Sequence, residues 1–171
     1  MFVKSLNDLV AVDILKPLAL EYQLAIHSHG SRWKTTMNKL VIYTDGGARG
    51  NPGPAAIGAV VGDKHYHEYI GETTNNIAEY KAVIFALKKT GQLYGKDKCR
   101  QLILEINTDS ELLFNQMKGD YKVKDPDLQT LFIEVWNLKQ DFKEVKFRYV
   151  PREKNKEADK LVNKELDARL V

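Results

Sequence analysis

A single cysteine, Cys99, occurs in 171 residues. One thiol excludes an internal disulfide framework and fits a reducing compartment. Long apolar runs are also missing. The best candidate, Leu9–Ile26, is interrupted by Asp13, Lys16, Pro17 and Glu21, which excludes it as a membrane-spanning helix or signal peptide. Charge of one sign is not in excess: 26 Lys and Arg against 23 Asp and Glu leave a net charge of +3. That balance permits a polyanionic partner without requiring one. Internal repeats and low-complexity segments are lacking. A cytoplasmic protein that contacts no membrane is the expectation, with a monomer the favoured state.

What is present is a globular composition, 43% hydrophobic and 29% charged, in a chain long enough for one domain and an appendage. Residues 1–30 follow a helical apolar stripe after a Ser5…Asp8 capping pattern, with a kink or the start of a second helix at Pro17 and a stop at Gly30. Ser31–Lys39 is a polar, basic linker holding Arg32, Trp33 and Lys34. The division is therefore 1–37, a helical extension with its linker, and 38–171, the main domain.

Within that domain, Leu40–Thr44 and Ala55–Val61 read as strands, and a Gly62-Asp63 turn leads into an alternating edge strand over Lys64–Gly71. Thr73–Asn76 is an N-cap cluster opening a helix to Lys89. Leu102–Asn107 is a fourth strand, Ser110–Met117 a short helix, and Lys118–Pro126 a basic loop. A helix over Asp127–Gln140, a strand over Val145–Val150 and a helix over Asn155–Leu170 close the chain. The β-β-β-α-β-α-α-β-α order implies an α/β fold: a five-stranded mixed sheet, three strands antiparallel and two added in parallel, flanked by helices.

Four acids stand out on this scaffold. Asp45 ends the first strand and is followed by Gly46-Gly47-Ala48-Arg49-Gly50-Asn51-Pro52-Gly53-Pro54, whose glycines permit close backbone approach. Asp109 ends the fourth strand, and ligands in such sheets bind beyond the carboxyl ends of the strands. Glu79 lies in a helix apolar nearly all round, where a lone carboxylate is costly unless paired or metal-bound. Asp159 shares a stripe with Val162 and Leu166, with Asn155 placed to cap its helix. Singly, each could be a cap, a salt bridge or a surface acid. Together, four converging carboxylates bind divalent metal, and metal with carboxylates points to phosphoryl chemistry.

Tyr43-Thr44-Asp45-Gly46-Gly47, Asn51-Pro52-Gly53-Pro54, Thr73–Glu79, Thr108-Asp109-Ser110 and Val150-Pro151…Asn155–Asp159 resemble, in order and spacing, type 1 ribonuclease H. The resemblance covers about residues 38–168. It implies the ribonuclease H fold and hydrolysis of the RNA strand of RNA–DNA hybrids by two Mg²⁺ ions, with Mn²⁺ as an alternative. Asp45, Glu79, Asp109 and Asp159 would hold both ions and carry catalysis, Asp45 bridging them. The products would carry 5′-phosphate and 3′-hydroxyl ends. The resemblance also places Gly46, Gly47, Ala48, Asn75 and Asn76 along the hybrid's minor groove, and Asn51 and Thr74 near a DNA phosphate.

The chain departs from the family pattern in places. No histidine occupies Pro151-Arg152-Glu153-Lys154, the loop before the last acid. A subgroup of the family shares this lack, and Arg152 and Glu153 are the candidate replacements. A broader enzyme that also cuts double-stranded RNA is one alternative; a non-catalytic nucleic-acid-binding module is another. Only Lys118, Lys122 and Lys124 stand where some members carry a long basic handle, and Glu111 replaces a family glutamine. His65 and His67 alternate along the third strand and read as a solvated edge face.

Overall fold

A computed structural model describes residues 38–169; the helical extension and linker expected over 1–37 lie outside the described residues, as do residues 170–171. The chain opens with an antiparallel meander: β1 (Lys39–Ala48), β2 (Gly53–Val61) and β3 (Lys64–Thr73). Helix α1 (Asn75–Tyr94) follows, then a single helical turn over Lys96–Cys99 and β4 (Ile103–Thr108). Helices α2 (Glu111–Lys118) and α3 (Pro126–Lys139) precede β5 (Glu144–Tyr149), a 3-10 turn (Arg152–Lys154) and α4 (Lys156–Asp167). The sheet order is β3-β2-β1-β4-β5, with β4 and β5 added in parallel. This is the mixed sheet the element order implies.

Local chemistry fixes the helix starts. Thr74 accepts from Ile77 N at 3.4 Å and Ser110 from Leu113 N at 3.4 Å. Asp125 takes both Asp127 N (2.8 Å) and Leu128 N (3.2 Å), with Pro126 in the first turn of α3, where its missing N–H costs nothing. Helix α1 runs five residues beyond Lys89 to Tyr94, ending at Gly95 in a positive-φ conformation. It lays Tyr80, Val83 and Leu87 against Ile42, Leu104 and Ile106 of β1 and β4, forming the main core. Helix α4 covers the other side of the meander through Val162 and Leu166, packed with Ala56 and Tyr69. No helix among the described residues is long and apolar enough to cross a membrane.

Two expectations need correction here. Asp45 does not end β1. The strand continues through Gly46, Gly47 and Ala48, paired with Ile57, Ala56 and Ala55 of β2, because β2 offers those residues a full ladder of backbone partners. Nor is the His65–His67 face bare. His65 lies 3.4 Å from Glu157 and His67 2.7 Å from Glu165, both glutamates belonging to the helix that covers this side of β3.

Candidate active site

The two glycines that decide the site lie on neighbouring strands. A Cβ on Gly46 would stand 2.2 Å from the carbonyl carbon of Ala78 and 2.4 Å from Glu79 N. Only a glycine lets β1 touch the first turns of α1, and that contact delivers Glu79. A Cβ on Gly58 would stand 2.5 Å from Ala158 O, so the same device on β2 seats α4 and delivers Asp159. Gly58 is the cross-strand partner of Asp45. Asp45 thus sits where one helix arrives from each face of the sheet.

It also sits at a fork. β1 pairs with β4 up to Tyr43↔Asn107 and then continues with β2 alone. Asp109 follows the end of β4 in a strand-to-helix turn, where Ser110 N donates to Thr108 Oγ1 at 3.1 Å. The opening beside β1 at this carboxyl end is the usual ligand crevice of a mixed or parallel sheet. Here it is a cleft of about 430 Å³ whose walls include all four acids, Gly46 to Arg49 and Asn75.

Asp45, Glu79 and Asp109 place one oxygen each within 4.8 Å of one another. Burial, then the nearby Asp109 and Asp159 charges, push the Asp45 carboxyl up to about 7. Burial and then the Asp45 and Asp109 charges drive Glu79 well above the usual carboxylate range. The Gly46 backbone N–H and Arg152 act in the opposite direction on both. Glu79 Oε2 is buried with no hydrogen-bond partner among the described residues. Crowded hard oxygen donors, one of them unpartnered, fit a divalent cation of the Mg²⁺ type.

Asp159 is held differently. Its Oδ1 accepts from Arg152 Nη2 at 2.7 Å and its Oδ2 from Asn163 Nδ2 at 3.1 Å. That bond to Asp159, first among the causes, raises the Arg152 pKa still further. Glu153 does not reach the acids; it lines a separate cleft with Tyr43, Lys154, Lys156 and Glu157.

Of the residues implied in substrate binding, Gly46, Gly47, Ala48 and Asn75 line the acid cleft, whereas Asn51, Thr74 and Asn76 do not. Asn51 and Asn75 build its rim: Ala48 N donates to Asn75 Oδ1 at 2.8 Å and Asn75 N to Asn51 Oδ1 at 3.1 Å. Thr74 is occupied as the cap of α1, and Asn76 is exposed in its first turn.

Asn155 belongs to the site as well. It precedes α4, as expected of a cap, but its side chain makes no capping bond. It turns inward instead, Nδ2 donating to Thr44 O at 3.0 Å and Asp109 Oδ1 at 2.7 Å. Its only sequence signal was that of an N-cap, which describes its position and misses its contacts.

Comparison with known proteins agrees with this architecture. A family described as reverse transcriptase-like matches residues 43–165. LC11-RNase H1, solved in complex with an RNA/DNA hybrid, is 45% identical with a TM-score of 0.73, over 77% of this chain and 99% of that one. RNase H1 of the halophilic archaeon Halobacterium salinarum is 38% identical with a TM-score of 0.68, over 76% and 98% of the two chains. A bifunctional protein of Mycobacterium tuberculosis is 40% identical over 137 residues, 76% of this chain. The chain spans only 36% of that mycobacterial relative's length.

Proposed function

The chain belongs to the type 1 ribonuclease H family, and from that membership we propose that residues 38–171 form a metal-dependent endoribonuclease acting on RNA–DNA hybrids. The observation that carries the reading is the convergence of Asp45, Glu79 and Asp109 within 4.8 Å, with Glu79 Oε2 buried and unpartnered. A retired site would keep the desolvation and repulsion of these acids with nothing to offset them.

Asp45, Glu79, Asp109 and Asp159 are the proposed ligands. Mg²⁺ or Mn²⁺ ions held there would supply activation of the attacking water and stabilisation of the leaving 3′ oxygen, giving 5′-phosphate and 3′-hydroxyl ends. Asp45, at the fork between the other acids, would be a shared ligand, as the family resemblance implies. Arg152 holds Asp159 in orientation and keeps a positive charge at the cleft mouth, where a scissile phosphate would enter. It is the group proposed in place of the absent histidine. The Ala48–Asn75–Asn51 chain of hydrogen bonds stiffens the rim that would meet the minor groove, where the 2′-hydroxyl tells RNA from DNA. LC11-RNase H1 was solved on an RNA/DNA hybrid, which supports this choice of substrate.

The test is cleavage of matched hybrid, double-stranded RNA and double-stranded DNA with Mg²⁺ or Mn²⁺, run beside Asp45→Asn. Cutting of the hybrid's RNA strand that disappears in the variant is the expected result. Cutting of duplex RNA as well would widen the substrate class. Binding without cutting of any duplex would replace the enzyme with a nucleic-acid-binding module.

A further inference from the structure

Asn155 is 1% exposed, and it joins two strands that part company at the site. Thr44 O belongs to β1 and Asp109 follows β4, and the two strands are paired only as far as Tyr43↔Asn107. One side-chain amide therefore spans the fork and grips a carboxylate at its lip. Both of its partners are acceptors. The NH₂ must face them and Oδ1 must face away, where it is buried with no hydrogen-bond partner among the described residues. Burying half an amide unpaired opposes folding, so a packing role alone is poorly served by this residue.

We infer that Asn155 is the positioning residue for Asp109, a neutral double donor that fixes one carboxylate oxygen and leaves the other free to coordinate. An amide suits this task for two reasons. It supplies two protons in a fixed plane, one for each strand, which a hydroxyl cannot do. It carries no charge, so it orients Asp109 without competing with a cation, as lysine or arginine would. Removing a partner that orients a metal ligand typically weakens metal affinity about ten- to a hundredfold. The inference rests on the metal-dependent reading proposed above.

The experiment uses the full chain as wild type, Asn155→Ser and Asn155→Asp. Mn²⁺ binding is followed by calorimetry, and hybrid cleavage is measured across a Mg²⁺ series. In the variants the Mn²⁺ dissociation constant should rise between about ten- and a hundredfold. The Mg²⁺ concentration for half-maximal rate should rise in parallel, and the KM for hybrid at saturating metal should hold. Asn155→Asp, which sets a third acceptor against Asp109 and Thr44 O, should be the worse of the two. Unchanged Mn²⁺ affinity in a folded variant, even one with a lower Tm, would overturn the inference and leave the enzyme reading intact. If neither variant folds, the wild type decides by NMR. The Asn155 side-chain amide signals should move on Mg²⁺ addition with the same midpoint as the Ser110 backbone amide, and unmoved signals overturn the role. Absence of Mn²⁺ binding by the wild type overturns the metal-dependent reading, and this inference with it.

Discussion

Arg152 and Asp159 are joined Nη2 to Oδ1 at 2.7 Å, while Asp45, Glu79 and Asp109 crowd one another with no cation in direct contact among the described residues. The fourth acid thus arrives compensated and the other three do not. The separation suits a site in which Asp159 must be held in place from outside the cluster.

Replacing Arg152 therefore should affect turnover more than folding. The guanidinium is largely exposed, so its pair with Asp159 adds little to stability. Arg152→Ala should lower kcat for hybrid cleavage between about ten- and a hundredfold, with urea midpoints nearly unchanged. Glu153→Ala, which faces the neighbouring cleft, should behave as wild type. Full turnover in Arg152→Ala would remove the arginine from the mechanism.

The metal-free protein should lose stability as pH rises. Asp45 titrates at about 7 in the fold against 3.8 as its ordinary value, chiefly through burial. The folded state therefore holds a proton that the unfolded state has released, and stability falls with pH across that interval. Below pH 4 the contribution is fully present; by pH 7 and above it is lost, a difference on the order of 4 kcal/mol. Glu79 acts in the same direction. Thermal melts in chelator should show Tm dropping between pH 4 and 7, and Asp45→Asn should flatten the drop. Added Mg²⁺ should restore Tm at neutral pH. A melting profile independent of pH in chelator would contradict the desolvated cluster.

Three glycines should separate sharply on conversion to alanine. At Gly46 and Gly58 the new methyl meets backbone at 2.2 and 2.5 Å, so Gly46→Ala and Gly58→Ala should each cost about 3 kcal/mol or more and abolish cleavage. At Gly91, inside α1, a methyl meets nothing within 4 Å. Gly91→Ala should stabilise by about 0.5–1 kcal/mol with activity unchanged. Urea denaturation of the three variants decides the ordering.

Tyr80 is fully buried and donates from its hydroxyl to Gln116 Oε1 at 2.8 Å, while Gln116 Nε2 reaches Lys122 O at 3.3 Å. Tyr80→Phe leaves the Gln116 oxygen buried without a donor, at about 1–3 kcal/mol. Hydrogen exchange should then quicken at the Tyr121 amide, which donates to Asn115 O at 3.1 Å in the same loop, more than at Leu104 in the sheet. Uniform quickening would mean that the pair serves the core alone.

The sheet and its helices were legible because apolar periodicity, the Gly62-Asp63 turn and the Thr74 and Ser110 caps are local signals. The acids were legible because Asp45 and Asp109 follow apolar runs, Glu79 lies in an apolar helix and Asp159 shares the apolar stripe of the last one. The continuation of β1 through Gly46 and Gly47 was not legible, because glycines lack strand propensity and their pairing with β2 is decided across the sheet. The partners of His65 and His67 lie on α4, about 90 residues away along the chain, beyond any local pattern. Asn155 escaped for the opposite reason. A strong local habit, the N-cap, explained it before its distant contacts with Thr44 and Asp109 could be imagined.

Glu79 and Asp159 reach the cleft on helices that pack against opposite sides of the meander, each through its own glycine. Neither half of the protein can therefore assemble the acids by itself. A chain ended before α4 would lack Asp159, and a full chain with one helix undocked would hold an incomplete set of acids. On the proposed reading, hydrolytic competence would therefore require both helices to be docked on the sheet.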